Sequence, residues 1–283
     1  MTPGAGAAGY ATALPAFDGL VALADHPRRS FVEQIMGLPI SVHVRGPQAR
    51  GPQVAREVSA LYAALRRDDQ LFSTWRPDSE VNRIRRGELL PADADPRVRA
   101  VATLCEEAEH RTGGAFSAWR PGPDGGLAFD PTGLVKGWAV EQAFDRLAAR
   151  LAPLGAHDTL VCAGGDIIAG CTRTDTPDWV IGIEDPADRR RMLITVPLRR
   201  GAVATSGTAA RGQHIIDPAT GAAATGLRSA SIIGASLTWA DVYATAAFVR
   251  GQAAAAWIAT LPDHAAVLVE QDGRVVTISP ASV

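Results

Sequence analysis

The chain has 283 residues, of which 47% are hydrophobic and 20% are charged, and its formal net charge is −2. These values are typical of a globular protein with a sizeable core and leave no positive field for nucleic acid, so an acidic ligand must be held by local dipoles or a metal. No apolar run reaches membrane-spanning length and the N-terminus does not resemble a signal peptide, which predicts a cytoplasmic protein without a membrane anchor.

The N-terminal half of the chain is predicted to hold a leader, one strand and three long helices. Residues 1–29 are rich in Gly, Ala and Pro and predict a poorly ordered leader, so the folded domain is expected to be 30–283. Alternating apolar and polar residues predict a strand within 31–46, and a short helix is capped by Asp78 or Ser79. Helical spacing of apolar residues predicts helices over 52–69, 96–112 and 135–151.

The C-terminal half is predicted to hold short strands, two helices and a closing hairpin. A glycine-rich turn at 122–126 precedes it. The predicted strands are 159–161, 179–184, 193–198, 202–206 and 229–233, and the predicted helices are 240–250 and 253–261. Two last strands flank Asp272 and Gly273, a hairpin signal. No repeat or linker divides the ordered part, so we expect one mixed α/β (α+β) unit with two subregions around a cleft.

The three cysteines predict neither a zinc site nor a disulfide framework. Cys105, Cys162 and Cys171 are odd in number, widely spaced and never in a C-x-x-C pair. Buried, reduced thiols in a cytoplasmic protein are the interpretation that fits best.

Asp241 and Thr245 lie four residues apart in a predicted helix, so their side chains share one face. A carboxylate and a hydroxyl are hard oxygen ligands, and Mg²⁺ commonly takes only one or two carboxylates from a protein and its other ligands from water and phosphates. The competing interpretation is that Asp241 caps the helix and Thr245 packs in the core. The spacing alone leaves both open.

The segment 205–221 combines a Thr-Ser-Gly strand end with a histidine. Hydroxyls and free N–H groups at such a turn suit phosphate oxygens. His214 is a candidate catalytic group, and the alternative is a structural histidine held by a hydrogen bond. Asp217 begins a Pro- and Gly-containing turn and could serve only as an Asx-turn residue.

Three further segments suggest contacts with a phosphate, with a closely approaching ligand and with a planar ring. Lys136 follows a glycine-containing loop at a predicted helix start, where anions are favoured, although a solvated lysine is the alternative. Gly165 follows a predicted buried strand and permits close approach of a ligand, yet the segment is not G-x-G-x-x-G. Phe116 and Met36 could contact a ring or simply pack in the core.

Taken in order, these segments resemble the ApbE family, the FAD:protein FMN transferases. The resemblance runs from Met36 to Gly251 through the strings MG, FSTWRPDSEVNRI, TGGAF, TGLVKGWAVE, AGGDI, WVIGIEDP, VATSG, HIIDPATG and ADVYATAAFVRG. It implies a T-fold-like α/β unit around an FAD-binding cleft. It also implies Mg²⁺-dependent flavinylation, in which FMN from FAD is attached through a phosphoester bond to a Thr or Ser of a target flavoprotein and AMP is released.

The resemblance further implies roles for individual residues. Asp241 and Thr245 would bind Mg²⁺ together with the backbone carbonyl of Val135, and His214 would be the catalytic residue beside the pyrophosphate. The residues implied to contact FAD are Met36, Gly114, Ala115, Phe116, Ser117, Thr132, Lys136, Gly165, Asp166, Ser206, Gly207 and Ile215.

Three features depart from the family pattern. Many relatives carry an aromatic residue shortly after Thr-Ser-Gly, where this chain has Thr208, Ala209 and Ala210. Ser117 replaces the aspartate often found after Gly-Ala-Phe, and the export signal is missing, which favours a cytoplasmic member.

Two other functions would use the same implied site. One is an Mg²⁺-dependent FAD pyrophosphatase that uses water as nucleophile, and the other is a non-catalytic FAD-binding module.

Overall fold

A computed structural model describes residues 27–121, 126–155, 157–209, 212 and 214–280 of the chain. Residues 1–26 of the predicted leader and 122–125 of the predicted glycine turn lie outside these ranges. The boundary between leader and folded domain therefore stays a prediction.

Eight antiparallel strands form the main sheet, in the order β1-β2-β5-β6-β9-β10-β11-β12. They span Arg28–Ile35 (β1), Leu38–Arg45 (β2), Asp158–Ala163 (β5), Asp166–Gly170 (β6), Arg200–Gly207 (β9), Leu227–Gly234 (β10), Ala265–Glu270 (β11) and Val275–Ile278 (β12). Two separate hairpins pair Trp119–Pro121 (β3) with Leu127–Phe129 (β4) and Trp179–Asp185 (β7) with Asp188–Leu198 (β8).

Six α-helices accompany the strands in the described ranges. They span Pro52–Phe72 (α1), Glu80–Arg85 (α2), Pro96–Arg111 (α3), Thr132–Leu151 (α4), Leu237–Arg250 (α5) and Ala254–Ile258 (α6). The helical spacing read in α1 is confirmed, because Val54, Val58, Leu61 and Leu65 are all buried. None of the helices within these ranges is long and apolar enough to cross a lipid bilayer.

The two faces of the main sheet are covered by different elements. Helices α1, α4 and α5 pack on one face and form the main core with residues such as Val161 and Ala202. The neighbouring residues Leu160 and Val203 point the opposite way, because side chains alternate along a strand, and they pack with Ile181 of the β7–β8 hairpin. The mixed α/β prediction is confirmed, with the hairpin as an added layer.

The structure corrects the strand predicted within 31–46, which is a hairpin. Met36 and Gly37 have φ angles of 56° and 70°, the left-handed conformation that a two-residue type I′ turn requires at both positions. A methionine rarely adopts this conformation, so the residue types at 36 and 37 do not predict this turn. Strands β3, β4 and β6 were also missed.

Helices α4 and α5 each begin three residues earlier than predicted because a side chain satisfies their first free N–H groups. Asp130 Oδ1 accepts hydrogen bonds from the N–H (3.2 Å) and the hydroxyl (2.6 Å) of Thr132 at the start of α4. Ser236 Oγ accepts from the N–H of Trp239 at the start of α5. Ser79, one of two predicted caps, accepts from the N–H of Asn82 in α2.

Candidate active site

A cleft of about 830 Å³ opens where α4 and α5 meet the ends of β6 and β9, beside the β7–β8 hairpin. All but three of the residues predicted from the sequence line it. They are Ala115, Phe116, Ser117, Thr132, Lys136, Gly165, Asp166, Ser206, Gly207, His214, Ile215, Asp241 and Thr245.

The three predicted residues that do not line the cleft are Met36, Gly114 and Val135. Met36 lies in the β1–β2 turn and packs partly against the main core. Gly114 has a φ of 80° and shapes the turn before Ala115. Val135 is buried inside α4, where a backbone carbonyl normally accepts from the N–H four residues later, so its carbonyl is less available to a metal than a loop carbonyl. No contact tests its metal role, which stays a prediction.

The charged centre of the cleft is an ammonium group between two aspartates. Lys136 Nζ contacts Asp166 Oδ2 and lies 3.1 Å from Asp241 Oδ2. The carboxylate side chains are only 3% and 7% exposed, against 23% for Lys136. Asp166 is fixed further, because its Oδ1 accepts a 2.9 Å hydrogen bond from the N–H of Thr205 in β9. Lys136 is therefore an ion-paired lysine, and the solvated alternative is wrong.

Asp241 is not a helix cap, because Ser236 caps α5 and Asp241 lies in the second turn. Glu141 of α4 fixes this helix start from outside, accepting 2.9 Å hydrogen bonds from the Ser236 hydroxyl and the Thr238 N–H. Asp241 is thereby left free of a capping role and turned to the cleft. One turn later the Thr245 hydroxyl lies 3.2 Å from the Ser206 hydroxyl of β9.

These groups fit a hard divalent cation. Asp241 Oδ2 is buried, and within the described residues its partner is the Lys136 ammonium, 3.1 Å away. Lone pairs thus remain beside a hydroxyl, as a Mg²⁺ ligand set requires. The described ranges hold no group of three or more His, Cys, Asp and Glu residues arranged for a metal, so a cation here would take its other ligands from hydroxyls, backbone carbonyls, water or ligand phosphates.

His214 lies exposed at the cleft, in a conformation that leaves one ring nitrogen free to accept a proton. Its Nδ1 is 3.0 Å from the carbonyl oxygen of Gly212. A carbonyl only accepts, so this hydrogen bond places the proton on Nδ1 and leaves the lone pair on Nε2. Asp217, further along the same segment, forms the Asx turn that was one interpretation of the sequence. Its Oδ1 accepts a 2.9 Å hydrogen bond from the N–H of Ala219.

The Gly-Ala-Phe segment reaches the cleft through a tightly held turn. The Phe116 N–H donates to the Thr112 hydroxyl at 3.0 Å, and the Thr112 carbonyl accepts from Arg250 of α5 at 2.6 Å. Phe116 is buried against Gly133 of α4 and also lines the cleft, so its packing in the core is confirmed and its contact with a ligand stays a prediction. The Ser117 hydroxyl donates to Glu109 at 3.2 Å.

Sequence reasoning missed the wall that the β7–β8 hairpin provides. Ile181, Ile183 and Glu184 line the cleft from this side, although their string WVIGIEDP was part of the resemblance. Ala209 presents only a methyl group where relatives often carry an aromatic ring nearby, and Ala210 lies outside the described residues. Cys162 also lines the cleft, and burial raises the pKa of its thiol.

Comparisons with known proteins give one consistent result. The ApbE family model matches residues 36–119 and 120–269. The ApbE protein from Thermotoga maritima is similar in structure with a TM-score of 0.75 at 21% identity, over 88% of this chain and 96% of that one. The flavinyl transferase ApbE from Pseudomonas stutzeri, in its apo form, gives 0.74 at 25% identity, over 90% and 95%.

The flavin transferase ApbE from Vibrio cholerae gives a TM-score of 0.71 at 20% identity, over 91% of this chain and 98% of that one. A search of curated protein sequences gave no match.

Proposed function

This chain belongs to the ApbE family, and on that premise we propose that it is a flavin transferase that moves the FMN half of FAD onto a Thr or Ser of another protein. The observation that carries the proposal is the buried Asp241 carboxylate, paired only with Lys136 among the described residues, in a cleft large enough for a dinucleotide. The names of the two flavin transferases with similar structures support it.

The chain's own residues divide into ligand-holding and proton-handling groups. Lys136 supplies a positive charge for the pyrophosphate, and Ser206 and Gly207 supply a hydroxyl and backbone N–H groups at the end of β9. Phe116 and Ile181 offer apolar surface from opposite walls for a planar ring. Asp241 and Thr245 would hold Mg²⁺, which when bound neutralises charge on the pyrophosphate and on the departing AMP.

The proton of the acceptor hydroxyl passes to Nε2 of His214. As that proton leaves, the acceptor oxygen bonds to the FMN phosphorus, and the bond from this phosphorus to the bridging oxygen breaks. AMP departs with the bridging oxygen. A base of this type contributes about 10²–10⁴-fold to the rate. His214 suits the role because its Nδ1–H is already engaged by Gly212.

The test is incubation with FAD, Mg²⁺ and a candidate acceptor flavoprotein, followed by in-gel flavin fluorescence and AMP quantification. Equal amounts of AMP and labelled acceptor support the transferase. Free FMN and AMP without a labelled protein support the pyrophosphatase alternative. FAD binding without AMP would support the non-catalytic module. The predicted cytoplasmic location stays a prediction.

A further inference from the structure

Lys136 is the only lysine in the sequence, which otherwise contains 27 arginines. Every other basic side chain except the histidines is thus a guanidinium, and the single ammonium lies at the centre of the cleft. Lysine is a compact point charge on a flexible stem, whereas arginine is a planar fork. The distribution indicates that this position has a use for an ammonium.

The packing around Lys136 explains that use. Its Nζ contacts Asp166 on one side and lies 3.1 Å from Asp241 on the other, and both carboxylates are buried. Asp166 has a second partner, because its Oδ1 accepts from the N–H of Thr205, and it lies closer to Lys136 than Asp241 does; Asp241 Oδ2 has only Lys136 as a partner within the described ranges. Lys136 is therefore held mainly by Asp166 and only neutralises Asp241.

The charge balance shows why this arrangement favours exchange. The three central groups, two carboxylates and one ammonium, carry a net charge of −1. A divalent cation at Asp241 would change the sum to +1. The cation would then lie close to the Lys136 ammonium and repel it until a phosphate ligand binds. At such short range, like charges repel strongly in a partly buried site.

We propose that Lys136 is the resident counter-ion of Asp241: its ammonium neutralises this carboxylate in the metal-free protein and gives it up when a divalent cation binds, remaining attached to Asp166. Lys136 then has the freedom to pair with a ligand phosphate. This inference rests on the proposed function for the metal role of Asp241. It makes Lys136 a positioning residue that competes with the metal when no phosphate is bound.

The first experiment uses the single lysine as a reporter in the wild-type protein without FAD. Labelling with ¹⁵N-lysine gives one side-chain Nζ resonance, which is followed by NMR while Mg²⁺ is added. The expected result is a saturable shift that matches the Mg²⁺ affinity from calorimetry. Asp241→Asn should abolish both the shift and the binding.

The second experiment measures Mg²⁺ binding to Lys136→Met, which matches the lysine stem without its charge. Coupling energies between neighbouring sites predict binding on the order of 10-fold tighter than in the wild type. The metal-free variant should also melt at a lower temperature than the metal-free wild type. Mg²⁺ should raise the melting temperature of the variant by more than it raises that of the wild type. If this variant does not fold, the wild-type NMR titration decides alone.

The outcomes separate this inference from the proposed function. Mg²⁺ binding that needs Asp241 but leaves the Nζ resonance unmoved, or that weakens in Lys136→Met, overturns the counter-ion role and keeps the metal site. Mg²⁺ binding that is unchanged in Asp241→Asn overturns the metal site itself.

Discussion

Gly137 leaves only just enough room for Asp241 on the neighbouring helix. A methyl group at Gly137 would lie 3.1 Å from Cβ of Asp241, 3.2 Å from its Oδ2 and 3.0 Å from the carbonyl oxygen of Leu237. Helices α4 and α5 can therefore approach each other closely because Gly137 has no side chain. The position of Asp241 depends on this close approach.

Gly137→Ala is expected to destabilise the protein and to weaken its Mg²⁺ dependence. In an ordinary helix interior the same change stabilises by about 0.5–1 kcal/mol, so a loss reports the clash with α5 rather than helix propensity. Urea denaturation and a Mg²⁺ titration of AMP formation measure both effects. Higher stability with unchanged Mg²⁺ dependence would show that the helices can separate freely.

Asp241→Asn is expected to lower AMP formation at least about 10²-fold, because a bound metal supplies several kcal/mol of charge stabilisation. The matched control is Asp217→Asn, the same change in the same cleft. Asparagine also forms Asx turns, so this control should keep nearly full activity. Initial rates over a range of Mg²⁺ concentrations distinguish weaker binding from a slower reaction. Equal rates in both variants would contradict the assignment of Asp241.

His214→Gln is expected to keep FAD binding while flavin transfer falls by about 10²–10⁴-fold, since only the proton-accepting lone pair is lost. FAD binding is measured by flavin fluorescence and transfer by in-gel fluorescence of the acceptor. Added imidazole should restore part of the rate. Transfer at the wild-type rate would make His214 structural.

Cys162 is expected to react slowly with iodoacetamide near neutral pH and to be protected by FAD. Burial raises its pKa, so little reactive thiolate is present near neutral pH. As the pH is increased, its labelling rate should keep rising through the pH range in which the rate for an ordinary cysteine becomes constant. Cys171 has a raised pKa for the same main reason but does not line the cleft, so FAD should not protect it. Peptide mapping assigns each label, and equal protection of both would contradict the cleft position.

Cys105 is the internal reference for that experiment. It is buried in α3, and burial raises its pKa to about 12. It should stay unlabelled until the protein is unfolded.

The sequence predicted best what local spacing determines. Asp241 and Thr245 are one helical turn apart, and the structure confirms that both face the cleft from α5. Local turn chemistry likewise predicted the Asx turn at Asp217. These features need no knowledge of distant parts of the chain.

The missed features depend on contacts between distant segments. The pairing of Lys136 with Asp166 joins α4 to β6, a strand too short and glycine-flanked to show a pattern. The β1–β2 turn was missed because Met36, with a φ of 56°, is a residue type rare in that conformation. The early start of α4, which places Val135 within the helix, follows from the Asp130 side chain.

The β7–β8 hairpin takes no part in the strand pairing of the main sheet. Strands β6 and β9 pair directly, with Gly170 opposite Arg200, and the whole hairpin enters and leaves between these two neighbours. Without the hairpin, one wall of the cleft would be absent and the sheet face that carries Leu160 and Val203 would be uncovered, while the helical core on the other face would keep its contacts. One wall of the cleft is therefore encoded by a single continuous segment of about 30 residues, and exchanging that segment is expected to change ligand preference while leaving the groups on α4 and α5 in place.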